Sequence, residues 1–163
     1  MRKPPVPEAA ARAPELRLEF RADPVSVRKS LAHMLDLPPL ASLADEDRSV
    51  AELVLAEVLN NVVEHAYGAE GGRICVSLTG DPTGIRCRVT DEGRAMPDER
   101  VPEGRLPGGP GTALADLPEG GFGWHLIRSL SVGLTYARIN GQNRLGFLLP
   151  HGGLDLADHD GAG

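Results

Sequence analysis

Residues 49–67 read SVAELVLAEVLNNVVEHAY, and their spacing predicts one long helix that Gly68 ends. Turning about 100° per residue from Glu57, Asn61 lies about 40° to one side and Glu64 about 20° to the other, with Asn60 flanking at about 60°. Leu55, Leu59, Val62 and Ala66 point the opposite way and form a stripe for burial. A carboxylate and a carboxamide therefore stand one turn apart on a helix whose remaining surface is mostly apolar. A carboxylate accepts a proton, and an amide oxygen holds a hard cation such as Mg²⁺. The same residues also read as a polar patch on a solvated face. The helix alone does not choose between these readings.

Length and composition narrow the classes. A chain of 163 residues makes one domain with a real core. A formal charge of -6 argues against a nucleic-acid binder, which needs a basic face. With 41% hydrophobic and 25% charged residues, the chain is ordinary globular material. No apolar run approaches the ~20 residues of a membrane span, and the basic start MRKPP lacks the apolar segment of a secretory signal. The expected compartment is the cytoplasm, with no membrane partner. Cys75 and Cys87 do not make a disulfide framework and are expected as reduced thiols.

Taken in order, residues 1–14 are rich in Pro and Ala and read as a mobile tail. ELRLEFR, residues 15–21, alternates as a strand with Leu16, Leu18 and Phe20 facing in. Asp23-Pro24 starts a helix that stops before Pro38-Pro39, with His33 read as a surface residue. A short linker leads to the long helix. RICVSLT and GIRCRVTD then form a hairpin in which Cys75 and Cys87 take opposite faces. From Asp91 to Pro118 the sequence is irregular, and a loop of that length reads as a lid over about 92–119 or, in its centre, as a disordered insertion. GGFGWHLIRSL, residues 120–130, is a glycine cluster opening a helix with Leu126, Ile127 and Leu130 on one side. Ser131 to Gly133 end it. LTYARI and RLGFLLP flank the hairpin signal Asn140-Gly141. Residues 151–163 read as a tail whose two histidines and three aspartates are solvated rather than metal-binding. The fold class is α+β: an α/β two-layer sandwich spanning 15–150, with a mixed, mostly antiparallel sheet and helices on one face. Strands and helices do not alternate as in a doubly wound fold.

Three stretches line up as a site. The first is the helix carrying Glu57, Asn60, Asn61, Glu64 and His65. The second is Asp91-Glu92-Gly93 at the end of a buried strand, where the carboxylate accepts hydrogen bonds and suits the exocyclic amine of an adenine. Gly93 lets the backbone approach a ring or take a positive φ. The third is Gly120-Gly121-Phe122-Gly123 before a helix, whose free amides suit phosphates.

In this order the three stretches resemble the Bergerat-fold (GHKL) ATPases, the superfamily of gyrase, sensor histidine kinases and the heat-shock and mismatch-repair ATPases. The resemblance is closer to the small bacterial anti-sigma factors that are also serine/threonine protein kinases. It rests on Glu57, Asn61, His65 and Tyr67, on VTDEG with Asp91, and on GGFGWHLIRSL, and it covers about residues 15–150. It implies that Asn61 is the Mg²⁺ ligand bridging the phosphates and that Glu57 is the general base toward a serine hydroxyl. It implies that Asp91 anchors adenine, with Gly93 and Ala95 shaping that pocket. Gly121, Gly123 and Trp124 would form the phosphate side. Ala95 stands where the family has a second glycine and Trp124 where it often has leucine, and GQNRLGF lacks the family's Gly-Thr pair. His65 is expected to pack or bond within the fold.

The function implied is an ATP- and Mg²⁺-dependent kinase and anti-sigma factor. Its partners would be a sigma factor and a small anti-anti-sigma protein phosphorylated on serine, with a homodimer surface in residues 15–37. The alternative is a binding module on the same fold without phosphotransfer. Retention of Glu57 favours the enzyme; the altered adenine box favours the module. A sensor histidine kinase is disfavoured because the few residues before the first helix leave no room for a phosphoacceptor helix, and a gyrase-like or repair ATPase because it needs a transducer domain.

Overall fold

The computed structural model of the chain describes residues 13–104 and 122–153. Five strands form one sheet in the order β1-β2-β3-β5-β4. They are β1 (Glu15–Arg21), β2 (Arg73–Asp81), β3 (Gly84–Asp91), β4 (Val132–Ile139) and β5 (Gln142–Pro150). Helices α1 (Pro24–Leu35), α2 (Asp45–Asn61) and α3 (Phe122–Leu130) make the second layer. All four strand pairings are antiparallel, which corrects the expectation of a mixed sheet. β3 and β4 do run the same way, as strands joined through one helix should, but β5 lies between them and pairs antiparallel with both.

Side-chain alternation gives the sheet its inner face. One row runs Leu18, Val76, Val89, Leu145 and Tyr136 across all five strands. The next row runs Phe20, Ile74, Asp91, Asn143 and Arg138, so the apolar face turns polar at one end. Cys87 pairs with Leu78 on the buried face, while Cys75 pairs with Thr90 on the other, as expected. Burial pushes the Cys87 thiol far up, so it stays protonated.

Helix α1 starts as its sequence predicts: Asp23 accepts from the Ser26 N–H at 2.8 Å and Pro24 takes the first turn. It ends at Leu35, and His33 is exposed. Helix α2 begins at Asp45, four residues before the expected Ser49. Asp45, Glu46 and Asp47 occupy its first turn, where negative charge opposes the helix dipole, and the Ser49 hydroxyl bonds back to the Asp45 carbonyl at 2.9 Å. Val54, Leu55, Val58 and Leu59 are buried against the sheet and α1, each contributing about 1.5–3 kcal/mol. Past Asn61 the helix widens into a π-helical turn, Val62–Tyr67.

Tyr67 fixes the end of that turn. Its hydroxyl donates to the Arg73 carbonyl at 2.7 Å and accepts from the Glu92 N–H at 2.7 Å, tying the helix to β2 and to the exit of β3. The Asn140-Gly141 turn joins β4 and β5 with both residues at positive φ, as the sequence predicts. Helix α3 ends at Leu130, before Ser131 as expected, and Val132 and Gly133 already belong to β4. Gly133 sits at φ 65° beside a break in register between Val132 and Thr135.

Candidate functional site

A cavity of about 510 Å³ opens between the end of α2, the polar end of the sheet and α3, within the usual size of small-molecule sites. Asn61, Asp91, Ala95 and Trp124 line it, whereas Glu57, Gly93 and Gly123 are not among its lining residues. Trp124 is also part of the core, 5% exposed. Gly121 lies outside the described residues, as do Gly120 and residues 105–119 of the expected lid. The described start of that segment lies along α3, with Arg128 donating to the carbonyls of Pro102 (2.8 Å) and Val101 (3.0 Å).

Glu57 and Asn61 meet Gly123 at one edge of the cavity. A Cβ on Gly123 would stand 2.6 Å from Glu57 Oε2 and 3.8 Å from Asn61 Nδ2. The absence of a side chain there is what lets α3 approach the polar turn of α2. Asn61 Nδ2 is the one buried side-chain polar atom without a partner among the described residues. Such an orphan costs about 1–3 kcal/mol, and a ligand in the cavity can offset it. No cluster of three or more His, Cys, Asp or Glu able to hold a metal occurs among the described residues. The donor set thus suits Mg²⁺ only as it is held in nucleotide sites, by few protein oxygens together with phosphates and water.

At the opposite wall Asp91 is 6% exposed. Its Oδ1 accepts from the Gly93 N–H at 2.9 Å and from Asn143 Nδ2 at 2.8 Å. Burial pushes its carboxyl above the ordinary range, opposed by those two donors and by the charge of Arg138. Asn143 is the hub. Its Nδ2 also donates to the Arg94 carbonyl at 2.8 Å, and its Oδ1 accepts from the Tyr136 hydroxyl (2.6 Å) and Arg138 Nη1 (2.7 Å). The sequence reading missed Asn143. Carrying the inward phase of Leu145, Phe147 and Leu149 back two residues would have found a polar side chain at a core position.

Two expected roles change. Gly93 is not at positive φ, and the backbone it approaches is the helix end: a Cβ there would meet the Ala66 carbonyl oxygen at 2.5 Å. The Arg94 N–H donates to that same carbonyl at 2.8 Å. Gly93→Ala must break this seam, and a loss of about 1–3 kcal/mol is expected as a lower denaturant midpoint. An unchanged midpoint would refute the close packing. His65, expected to pack or bond within the fold, is 60% exposed at the cavity rim, with Glu64 at 3.8 Å. The π-helical turn alters the 100° phase after Asn61 and so swings His65 and Glu64 outward.

The sequence over residues 20–147 matches the family described as histidine kinase-like ATPase domain. The chain belongs to this family. No match is found among curated proteins. Among solved structures, the RsbU and RsbW domains of Rv1364c from Mycobacterium tuberculosis share the fold at TM-score 0.53 and 17% identity. The alignment covers 85% of this chain and 32% of that one, so the chain spans about a third of the solved structure's length. Membership of a histidine kinase-like ATPase family implies that the chain binds ATP.

Proposed function

We propose that this domain is an ATP-dependent protein serine/threonine kinase that also acts as an anti-sigma factor. Its protein substrate would be a small anti-anti-sigma protein. The observation that carries this reading is the meeting of Glu57 and Asn61 at Gly123. It puts a proton acceptor, an amide ligand and a glycine-lined helix start at one edge of a cavity whose far wall holds Asp91. The fold shared with a structure containing an RsbW domain supports the same reading.

In this reading Asp91 holds the adenine amine and Trp124 and Ala95 bound the nucleotide. Asn61, with Mg²⁺, orders the phosphates, and the amides at the start of α3 receive their charge. Bound Mg²⁺ supplies charge neutralisation for the transferred phosphoryl group. Glu57 accepts the proton of the attacking serine hydroxyl as the γ-phosphoryl passes to its oxygen and ADP leaves. A homodimer through residues 15–37 belongs to the same reading. β1 is an edge strand there, and Val25 on α1 is 55% exposed.

Calorimetric titration with ATP and ADP, with and without Mg²⁺, tests the pocket. Micromolar, Mg²⁺-dependent binding that weakens about tenfold in Asn61→Ala is the expected result. No binding at millimolar nucleotide would end the kinase reading and leave a scaffold that works through its partner surface.

A further inference from the structure

The face of the sheet turned away from the helices is segregated in charge. Arg17, Arg21, Arg73, Arg86, Arg88 and Arg144 all lie on it, in a chain whose formal charge is -6. Three of these are matched locally: Arg21 pairs with Asp23 at 3.9 Å, Arg73 with Glu19, and Arg86 with Asp81 at 2.9 Å. Arg17 and Arg88 pair with no carboxylate among the described residues, and Arg144 bonds only the neutral Gln142 side chain, at 2.9 Å. Glu15, at the edge, is the remaining acid on this face.

The register brings these three arginines around one spot. Arg17, Ser77, Arg88 and Gly146 form one row, and Cys75, Thr90 and Arg144 the next. With strands about 4.8 Å apart, Arg17 and Arg88 stand roughly 10 Å from each other across Ser77, within joint reach of one bound segment. Between them lies a concavity of about 520 Å³ lined by Ser77, Thr90, Thr135 and Gly146. A Cβ at Gly146 would come within 3.0 Å of Thr135 Oγ1, so glycine keeps the floor low.

We propose that this open face docks an acidic segment of a protein partner, its carboxylates taken by Arg17, Arg88 and Arg144. Guanidinium groups match carboxylates in planar, bidentate geometry, and the hydroxyls between them satisfy the remaining oxygens. A second copy of this chain fits poorly, because a twofold axis over this face sets the same unmatched arginines against each other. The arginines lie on the face of the sheet opposite the nucleotide cavity, with Tyr136 and Leu145 bordering both concavities.

Cys75 reports on the spot. It lies in the concavity, whereas Cys87, the chain's other cysteine, is buried. Alkylation of the full chain by a neutral maleimide, read by mass, should modify Cys75 first. A poly-glutamate peptide at low salt is expected to slow that modification roughly tenfold, and the protection should fade with added salt. Arg88→Ala and Arg17→Ala should each remove most of the protection while leaving the melting temperature unchanged. ATP should not protect. Protection that survives both substitutions would overturn the proposal. So would equal protection by a polythymidine oligonucleotide, or protection that rises with protein concentration when no peptide is present, which would assign the face to nucleic acid or to a second copy.

Discussion

Replacing Glu57 by glutamine is expected to slow transfer to a serine-bearing protein by roughly 10²- to 10⁴-fold, the contribution of a placed general base. Nucleotide affinity should stay within about twofold, because the amide keeps the shape beside Gly123 and removes only basicity. The fold should not suffer. Glu57 is half-buried and makes no hydrogen bond or ion pair among the described residues, so nothing in the core relies on its charge. Single-turnover transfer from labelled ATP, together with nucleotide titration of the same protein, separates the outcomes. Lost transfer with intact binding supports the base. Equal loss of both would place Glu57 in nucleotide binding, and unchanged transfer would remove it from the chemistry. A wild-type chain that binds ATP and partner but transfers nothing would select the binding-module reading.

Much of this site was legible because strand and helix periodicities are strict. Asp91 ends an alternating strand at an inward position, and Glu57 and Asn61 lie four apart on a helix, so their directions follow from the sequence alone. The long helix was harder at both ends. Its true start relies on three acidic residues rather than on a capping side chain. Its end changes pitch, which no periodicity argument at 100° per residue anticipates, and His65 was misplaced for that reason. The order of strands and helices left a mixed sheet open, and β3 and β4, which run the same way, do not pair. That β5 inserts between them is a matter of long-range pairing, which local pattern does not carry. Asn143 was missed for a related reason. Its partners, Asp91, Arg94, Tyr136 and Arg138, come from two separate stretches, and its role exists only once β3, β4 and β5 are assembled.

The network around Asp91 yields a substitution with opposite effects on stability and binding. The carboxyl is buried, and burial raises its pKa in the folded chain above that in the unfolded chain. Between those two values the folded state holds the proton that the unfolded state has released. Stability therefore falls as pH rises through this window, and the full cost of a buried charge remains at neutral pH. Arg138 and the donors on Oδ1 reduce that cost without removing it. Asp91→Asn keeps an oxygen for the Gly93 N–H and for Asn143 while deleting the charge. The nucleotide-free protein is accordingly expected to melt higher at pH 7 than the wild type, with the difference shrinking as pH is lowered through the titration. ATP affinity should fall roughly 100-fold, because the atom left to face the base becomes an N–H donor where the adenine amine also donates. GTP, whose ring carries an oxygen at the corresponding position, should lose less, so the ATP preference narrows or inverts. Thermal melts across pH and parallel titrations with both nucleotides measure the two arms. A variant that is less stable at pH 7 would mean that the ionised carboxylate is a net structural asset. Unchanged ATP affinity would move the adenine anchor away from Asp91.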